Sequence, residues 1–458
     1  MFTSRQLVAA LAGCVQAAVL IHDPSDVISS ADYTADNSIV PDYNVGMPAV
    51  QPEDLQASYY VAGESKSWNH TTLSASENDT SVVLVSDGGD LTLSHVDILK
   101  TGYSSNLNWA SFWGFNAAIN VANASTAVLD HVNLTVHSGA AGVYSYGDNT
   151  VVNVTDLWAY SSGPVSHCLY ASGNGTIHAR NVNTYSGGYR SSAFSGDIPS
   201  GDLYISDSVA HVAGIGSAVF YTLGLIVADN VVGVSEQGPV VFMDSNQIAN
   251  LTNVQGTAGL LGGVAIFSSS ARTSGAQLHL KDSSINATGE TMPGLWFGNT
   301  IIDVTIASSD IISTSGVMIS ANTSQITQDF DTYADYSVNS AIEPAEVYTV
   351  VSESSLQGDL VAYNHSLISF SLTEHSNWVG SAYSGYGVAN FDISLDATSN
   401  WTLTADTTVQ NLTNADASMA NINSNGFSLY YNSSAIDSAW LNGSTIELAG
   451  GGSVQPTV

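Results

Sequence analysis

Apolar and polar positions alternate along this chain in short bursts, and the bursts return in a fixed order roughly every 22 to 30 residues. One burst recurs as Gly142-Val143-Tyr144-Ser145-Tyr146, Cys168-Leu169-Tyr170-Ala171-Ser172, Ser192-Ala193-Phe194-Ser195-Gly196 and Ala218-Val219-Phe220-Tyr221-Thr222. It continues through Val240-Val241-Phe242-Met243-Asp244, Val264-Ala265-Ile266-Phe267, Gly294-Leu295-Trp296-Phe297-Gly298 and Gly316-Val317-Met318-Ile319. A second burst follows each, as in Val152-Asn153-Val154-Thr155-Asp156, Ile177-His178-Ala179-Arg180-Asn181 and Leu203-Tyr204-Ile205-Ser206-Asp207. Third, shorter ones trail it, such as Leu157 to Tyr160 and Val182 to Tyr185. Strands of this length, separated by polar turns and repeated at this period, predict one supersecondary unit stacked on itself. The expected fold is all-β: a right-handed parallel β-helix solenoid with three short strands per rung.

The period divides the chain. Residues 1–18, with Arg5 followed by an apolar run and Ala17-Ala18, read as a signal peptide. Residues 19–80 read as an N-terminal lead-in and cap, and 81–376 as the rungs, with a loop insertion at about 325–346. Residues 377–458 read as C-terminal rungs and cap. Paired Asn-Gly turns, the mark of a hairpin sandwich, are scarce and lie near the end, at Asn425-Gly426 and Asn442-Gly443.

The rung phrasing resembles the pectin-lyase-like right-handed β-helix superfamily, and the whole chain is similar to secreted β-helix proteins of filamentous fungi. Ser399-Asn400-Trp401-Thr402-Leu403-Thr404 and Leu441-Asn442-Gly443-Ser444-Thr445-Ile446 are similar to the last rungs of extracellular β-helix proteins. The resemblance implies the fold and not the chemistry. Gly-His-Gly, Asn-Thr-Asp and paired Asp-Asp phrases of polygalacturonase-type hydrolases are absent, as is the basic acid-sugar site of pectate lyases.

Composition narrows the partners. Forty acidic residues stand against seven basic ones, a net charge of −33. Nucleic acid and anionic membranes are disfavoured, and a neutral glycan or an uncharged small molecule suits this field. Fourteen Asn-x-Ser/Thr sequons point to a secreted glycoprotein: Asn69, Asn78, Asn123, Asn133, Asn153, Asn174, Asn250, Asn286, Asn322, Asn364, Asn400, Asn411, Asn432 and Asn442. Only Cys168 follows the signal segment, so it is expected buried and inert. No further membrane segment is read, and capped ends suggest a monomer.

Two features carry candidate chemistry. The first is an aromatic column on alternate positions of the leading burst, with Tyr144, Tyr170, Phe194, Phe242 and Trp296 on one parity and Tyr221 nearby. If that parity faces outward, Tyr144, Tyr170, Phe194, Tyr221 and Trp296 form a substrate strip; if inward, they fill the interior. The second is a clustering of scarce cations: His167, Arg190 and Asp197 fall on adjacent rungs and supply an acid/base, a charge stabiliser and an orienter. Asp244 is the further carboxylate for a glycosidase pair, which needs separations of about 5 to 9.5 Å. The alternative is an Arg–Asp pair tying two turns together. Histidines are scattered without zinc-site spacing, and no metal or cofactor is expected. The expected function is action on a neutral saccharide along an outer sheet, of glycosidase or lyase type. The alternatives are a small-molecule cyclase or isomerase using the aromatic strip, and a non-catalytic wall or adhesive protein.

Overall fold

A computed structural model describes residues 54–137, 139–197, 199–259, 262–323 and 341–457. The chain is a parallel β-helix, and its strands are almost all parallel to their neighbours. It forms two compact units, Met1–Phe242 with Val254–Gly256 and Met243–Asn253 with Thr257–Val458. The expected signal segment lies outside the described residues, as does most of the 325–346 insertion. Among the described residues no helix is long and apolar enough to cross a membrane.

In the first unit each coil has one short and one long strand. The short strands Gln56–Ala62, Thr80–Ser86, Ile119–Ala122, Val143–Tyr146, Leu169–Ser172, Phe194–Gly196 and Phe220–Thr222 pair in that order. The long strands Ser65–Ala75, Asp90–Lys100, Thr126–Val136, Val151–Ser161, Thr176–Ser186, Asp202–Val212 and Leu225–Ser235 form the second sheet. Regular coils therefore begin at Gln56, inside the segment expected to be a cap. The second and third strands expected for each rung are fused here around one left-handed residue. That residue is His70, His95, His131, Asp156, Asn181, Asp207 or Asn230, with φ between 51° and 57°. His, Asp and Asn accept this conformation more readily than most residues. The bend lets one continuous ladder turn a corner.

Alternation drives the burial. In Asp90–Lys100, Leu91, Leu93, Val96 and Ile98 are buried while Thr92, Asp97 and Leu99 are exposed. Each such aliphatic residue contributes roughly 1.5–3 kcal/mol of burial. Turn backbone is satisfied by stacked serines: the amide of Ser166 donates to Ser191 Oγ, and that of Ser191 to Ser217 Oγ, both at 2.7 Å. Glycine fills tight corners, since a Cβ on Gly214 would lie 1.7 Å from the carbonyl oxygen of Gly188.

The second unit repeats the plan with shorter elements. Val264–Phe267, Leu295–Gly298, Val317–Asn322, Asp359–Ala362 and Ala382–Ser384 form one sheet. Thr273–Lys281, Thr300–Ala307, Glu346–Ser352, Leu367–Thr373, Asn390–Leu395 and Asn411–Asn414 form another. Ile301 is paired with Glu346, so the stack resumes directly across the insertion. Here the third strand is separate, in Ser355–Gln357, Asn377–Val379 and Asn400–Thr402. It stacks Trp378 on Trp401 with ring centroids 4.7 Å apart. The unit closes on Thr407–Val409, Leu429–Tyr431 and Ser453–Pro456, with Ile446–Glu447 antiparallel to the last.

Candidate functional site

The register of the short-strand sheet decides where the candidate side chains point. Val143, Leu169, Phe194 and Phe220 are successive partners, and so are Tyr144, Tyr170, Ser195 and Tyr221. Phe194 thus belongs with the aliphatic face and stacks on Phe220 at 5.6 Å. Tyr144 and Tyr170 point to the opposite face, but they form no open strip. Both are fully buried, as is Phe194.

What covers the two tyrosines is helix α1, Leu107–Trp113, an element the repeats do not predict. Asn106 caps it by accepting from the Trp109 amide at 3.0 Å, and left-handed Gly114 ends it. Tyr144 Oη donates to the Ser111 carbonyl at 2.9 Å. Ser111 Oγ lies 2.9 Å from Tyr170 Oη and donates to Asp197 Oδ2 at 3.2 Å. Tyr170 Oη also donates to Asp197 Oδ2. Tyr144 and Tyr170 meet edge to face at 4.9 Å. Burial, reinforced by the Asp197 charge, raises the Tyr144 phenol well above its usual range.

His167 packs on this cluster, with its ring 4.4 Å from Tyr170 and 6.1 Å from Tyr221, centroid to centroid. The Ser192 amide donates to His167 Nδ1 at 3.0 Å. An amide can only donate, so Nδ1 is the bare nitrogen and the ring proton sits on Nε2. The Ser195 hydroxyl, 2.7 Å from Nδ1, therefore donates as well. A hydroxyl donating to a bare imidazole nitrogen is the pairing that nucleophilic catalysis uses. Burial, however, pushes His167 down to about 3, which makes it a weak base at neutral pH. His167 and Asp197 each contact Tyr170, which is buried beneath α1.

Arg190, Asp244 and Trp296 make contacts of their own. Arg190 is a left-handed turn residue with φ 49°, in a column with Gly139, Val165 and Gly216. Its guanidinium lies 5.3 Å from the Tyr189 ring centroid. Asp244 belongs to the second unit, where it accepts from the Ser269 amide at 2.9 Å and from Ser245 Oγ at 3.1 Å. Burial raises its pKa. Trp296 is also in the second unit, 8% exposed and paired with Ala265 and Ser320 rather than with aromatics. Cys168 is buried, its thiol pushed up to about 12 by desolvation. None of the fourteen sequon asparagines is buried.

An accessible site lies elsewhere, on the outer face of the long-strand sheet beside the left-handed column. Successive strands pair Asp97 with Asn133, Asn133 with Trp158, Trp158 with Asn183 and Asn183 with Val209. With His95, His131, Asp156, Asn181 and Asp207 they line a groove of about 310 Å³. Exposure falls along this row: Asp97 and Asn133 are exposed, Trp158 is half-buried, and Asn183 is 8% exposed. The Asn183 amide nitrogen is buried and makes no hydrogen bond. Its neighbours are held in place. Asn133 Nδ2 donates to Asp97 Oδ1 at 2.9 Å, Asn181 Nδ2 to Asp156 Oδ1, and Asn230 Nδ2 to Asp207 Oδ1 at 2.7 Å. Arg180 Nε reaches Asp207 Oδ2 at 3.0 Å.

The histidines of this face are not scattered, which corrects the expectation drawn from their spacing. His70 and His95 have ring centroids 4.8 Å apart, and His95 stacks on His131 at 4.6 Å and 8°. No protein-family model, curated protein or solved structure matches this chain.

Proposed function

We propose that this chain is a secreted, glycosylated member of the pectin-lyase-like β-helix class that binds a neutral saccharide in the Trp158 groove. The parallel β-solenoid is a scaffold common to carbohydrate-active enzymes and binding proteins. The observation that carries the reading is the buried Asn183 amide. It lines the groove next to Trp158 and donates to nothing. A buried donor left unpaired costs roughly 1–3 kcal/mol, which a sugar hydroxyl accepting from it returns. Trp158 supplies the flat apolar face on which a pyranose ring stacks. Asp97 and Asn133 supply further polar partners along the same row, and Asn181 does so from the left-handed column.

Binding is favoured over hydrolysis. Asp156 and Asp207 are two coils apart, about 9.6 Å at ordinary strand spacing, at the far limit for carboxylates that share an attacking water. Both are already tied down by asparagine amides. The sealed His167 cluster offers no entry for a polymer. A panel of neutral oligosaccharides, tested for retention and for released reducing ends, separates the alternatives. Saturable retention without new reducing ends supports a binding protein. New reducing ends that disappear in Asp156→Asn would establish a hydrolase, and no retention of any member would overturn the proposal.

A further inference from the structure

We propose that His95, Asp130 and His131 form a site for one divalent transition-metal ion of the zinc or copper type. One ligand atom from each of the three lies within 4.8 Å of the others. Nitrogen and carboxylate ligands bond such ions at roughly 2.0–2.2 Å, so two ligands of one ion stand at most about 4.4 Å apart. In a tetrahedral set they stand roughly 3.3–3.6 Å apart, so closing the site moves these exposed or half-buried side chains by up to about 1.5 Å.

The backbone presents the ligands in advance. His95 and His131 occupy the left-handed bends of adjacent coils, with φ 53° and 52°, and their rings stack, so a rotation of the exposed side chains turns both in-plane lone pairs onto one ion. Asp130 immediately precedes its histidine, with Oδ1 3.0 Å from His131 Nδ1. The carboxylate of Asp156, one coil on, stands 3.5 Å from His131 Nε2. It serves as a further acceptor or as a hydrogen-bonded support for the ring, as metal-binding histidines usually have. Two imidazoles with a carboxylate select zinc, copper or nickel over calcium or magnesium. Three protein ligands leave a coordination position open to water. A net charge of −33 concentrates cations at the surface. The site does not depend on what the groove binds, because the ligands are complete without a saccharide.

The test uses untagged, chelator-treated protein with no sugar present. Zn²⁺ is titrated calorimetrically, and Cu²⁺ is followed by electron paramagnetic resonance. The variants His95→Asn and His131→Asn keep a residue that tolerates the bend, and His375→Asn, at another exposed left-handed position, is the control. The expected result is one ion per chain, with affinity lowered by at least about tenfold in either groove variant and unchanged in the control. Copper should show nitrogen coupling from two imidazoles, reduced to one in each groove variant. The proposal is overturned if no saturable binding occurs, or if the double variant His95→Asn/His131→Asn binds zinc as the wild type does.

Discussion

The backbone amide of Ser192 donates to Nδ1 of His167 across 3.0 Å, and this bond holds the imidazole in one tautomer beneath α1. The ring is neutral when folded, with its pKa lowered by burial from the ordinary 6.5 to about 3. Between those values the unfolded chain binds a proton that the folded chain does not. The contribution is therefore complete above about pH 6.5 and is lost as pH falls toward 3. Its upper limit is on the order of 5 kcal/mol. Urea unfolding at pH 7 and pH 4 should show a larger loss of stability on acidification in wild type than in His167→Asn. Equal losses in the two proteins would refute the assignment.

Tyr170, Ser111 and Asp197 converge under the same helix. Removing the Tyr170 hydroxyl leaves the Asp197 carboxylate with one fewer donor in a buried setting. Tyr170→Phe should cost roughly 1–3 kcal/mol in chemical denaturation. It should leave saccharide binding in the Trp158 groove unchanged, because the two lie on different sheets. A loss of binding in a stably folded Tyr170→Phe protein would move the functional site back to the short-strand sheet.

In the second unit the stacked Trp378 and Trp401 are fully buried, and each indole donates to a glycine carbonyl, Gly358 at 2.8 Å and Gly380 at 2.9 Å. Trp378→Ala should destabilise by roughly 3–5 kcal/mol. Hydrogen exchange should locate the loss in strands Leu367–Thr373 and Asn400–Thr402. A loss below about 1 kcal/mol would mean that the stack does not anchor these coils.

The solenoid was legible because alternation of period two and polar turns survive substitution of almost any apolar residue for another. The faces of the short strands were not. Val143 to Leu169 spans 26 residues, Leu169 to Phe194 spans 25, and Phe194 to Phe220 spans 26. A slip of one residue reverses every side chain, so matching Phe194 with Tyr170 by phrase placed it on the wrong face. The histidine column was hidden by the excursion that carries α1. It puts His131 36 residues after His95, where His95 follows His70 by only 25. The caps of that helix, Asn106 and Gly114, are readable in the sequence. That it lies over Tyr144 and Tyr170 is not, because only the fold brings residue 111 to residues 170 and 197. His167 and Asp197 both reach Tyr170, because each stands close to a short strand of adjacent coils.

Asn133 belongs to two expectations at once. It is a sequon and it lines the groove, with Nδ2 donating to Asp97. A glycan there would fill the space assigned to the ligand. Peptide mapping of secreted protein should find Asn133 unmodified while exposed sequons outside the groove, such as Asn78 and Asn442, carry glycans. Full occupancy at Asn133 would contradict the groove assignment.

The most direct test compares calorimetric titrations of the best-retained neutral oligosaccharide into wild type, Trp158→Ala and Tyr386→Ala, the last altering an aromatic residue exposed elsewhere. Losing one stacking aromatic costs about 1–3 kcal/mol, or roughly fivefold to 150-fold in affinity. The account predicts a loss of that size in Trp158→Ala and none in Tyr386→Ala. Unchanged affinity in a folded Trp158→Ala protein would contradict it.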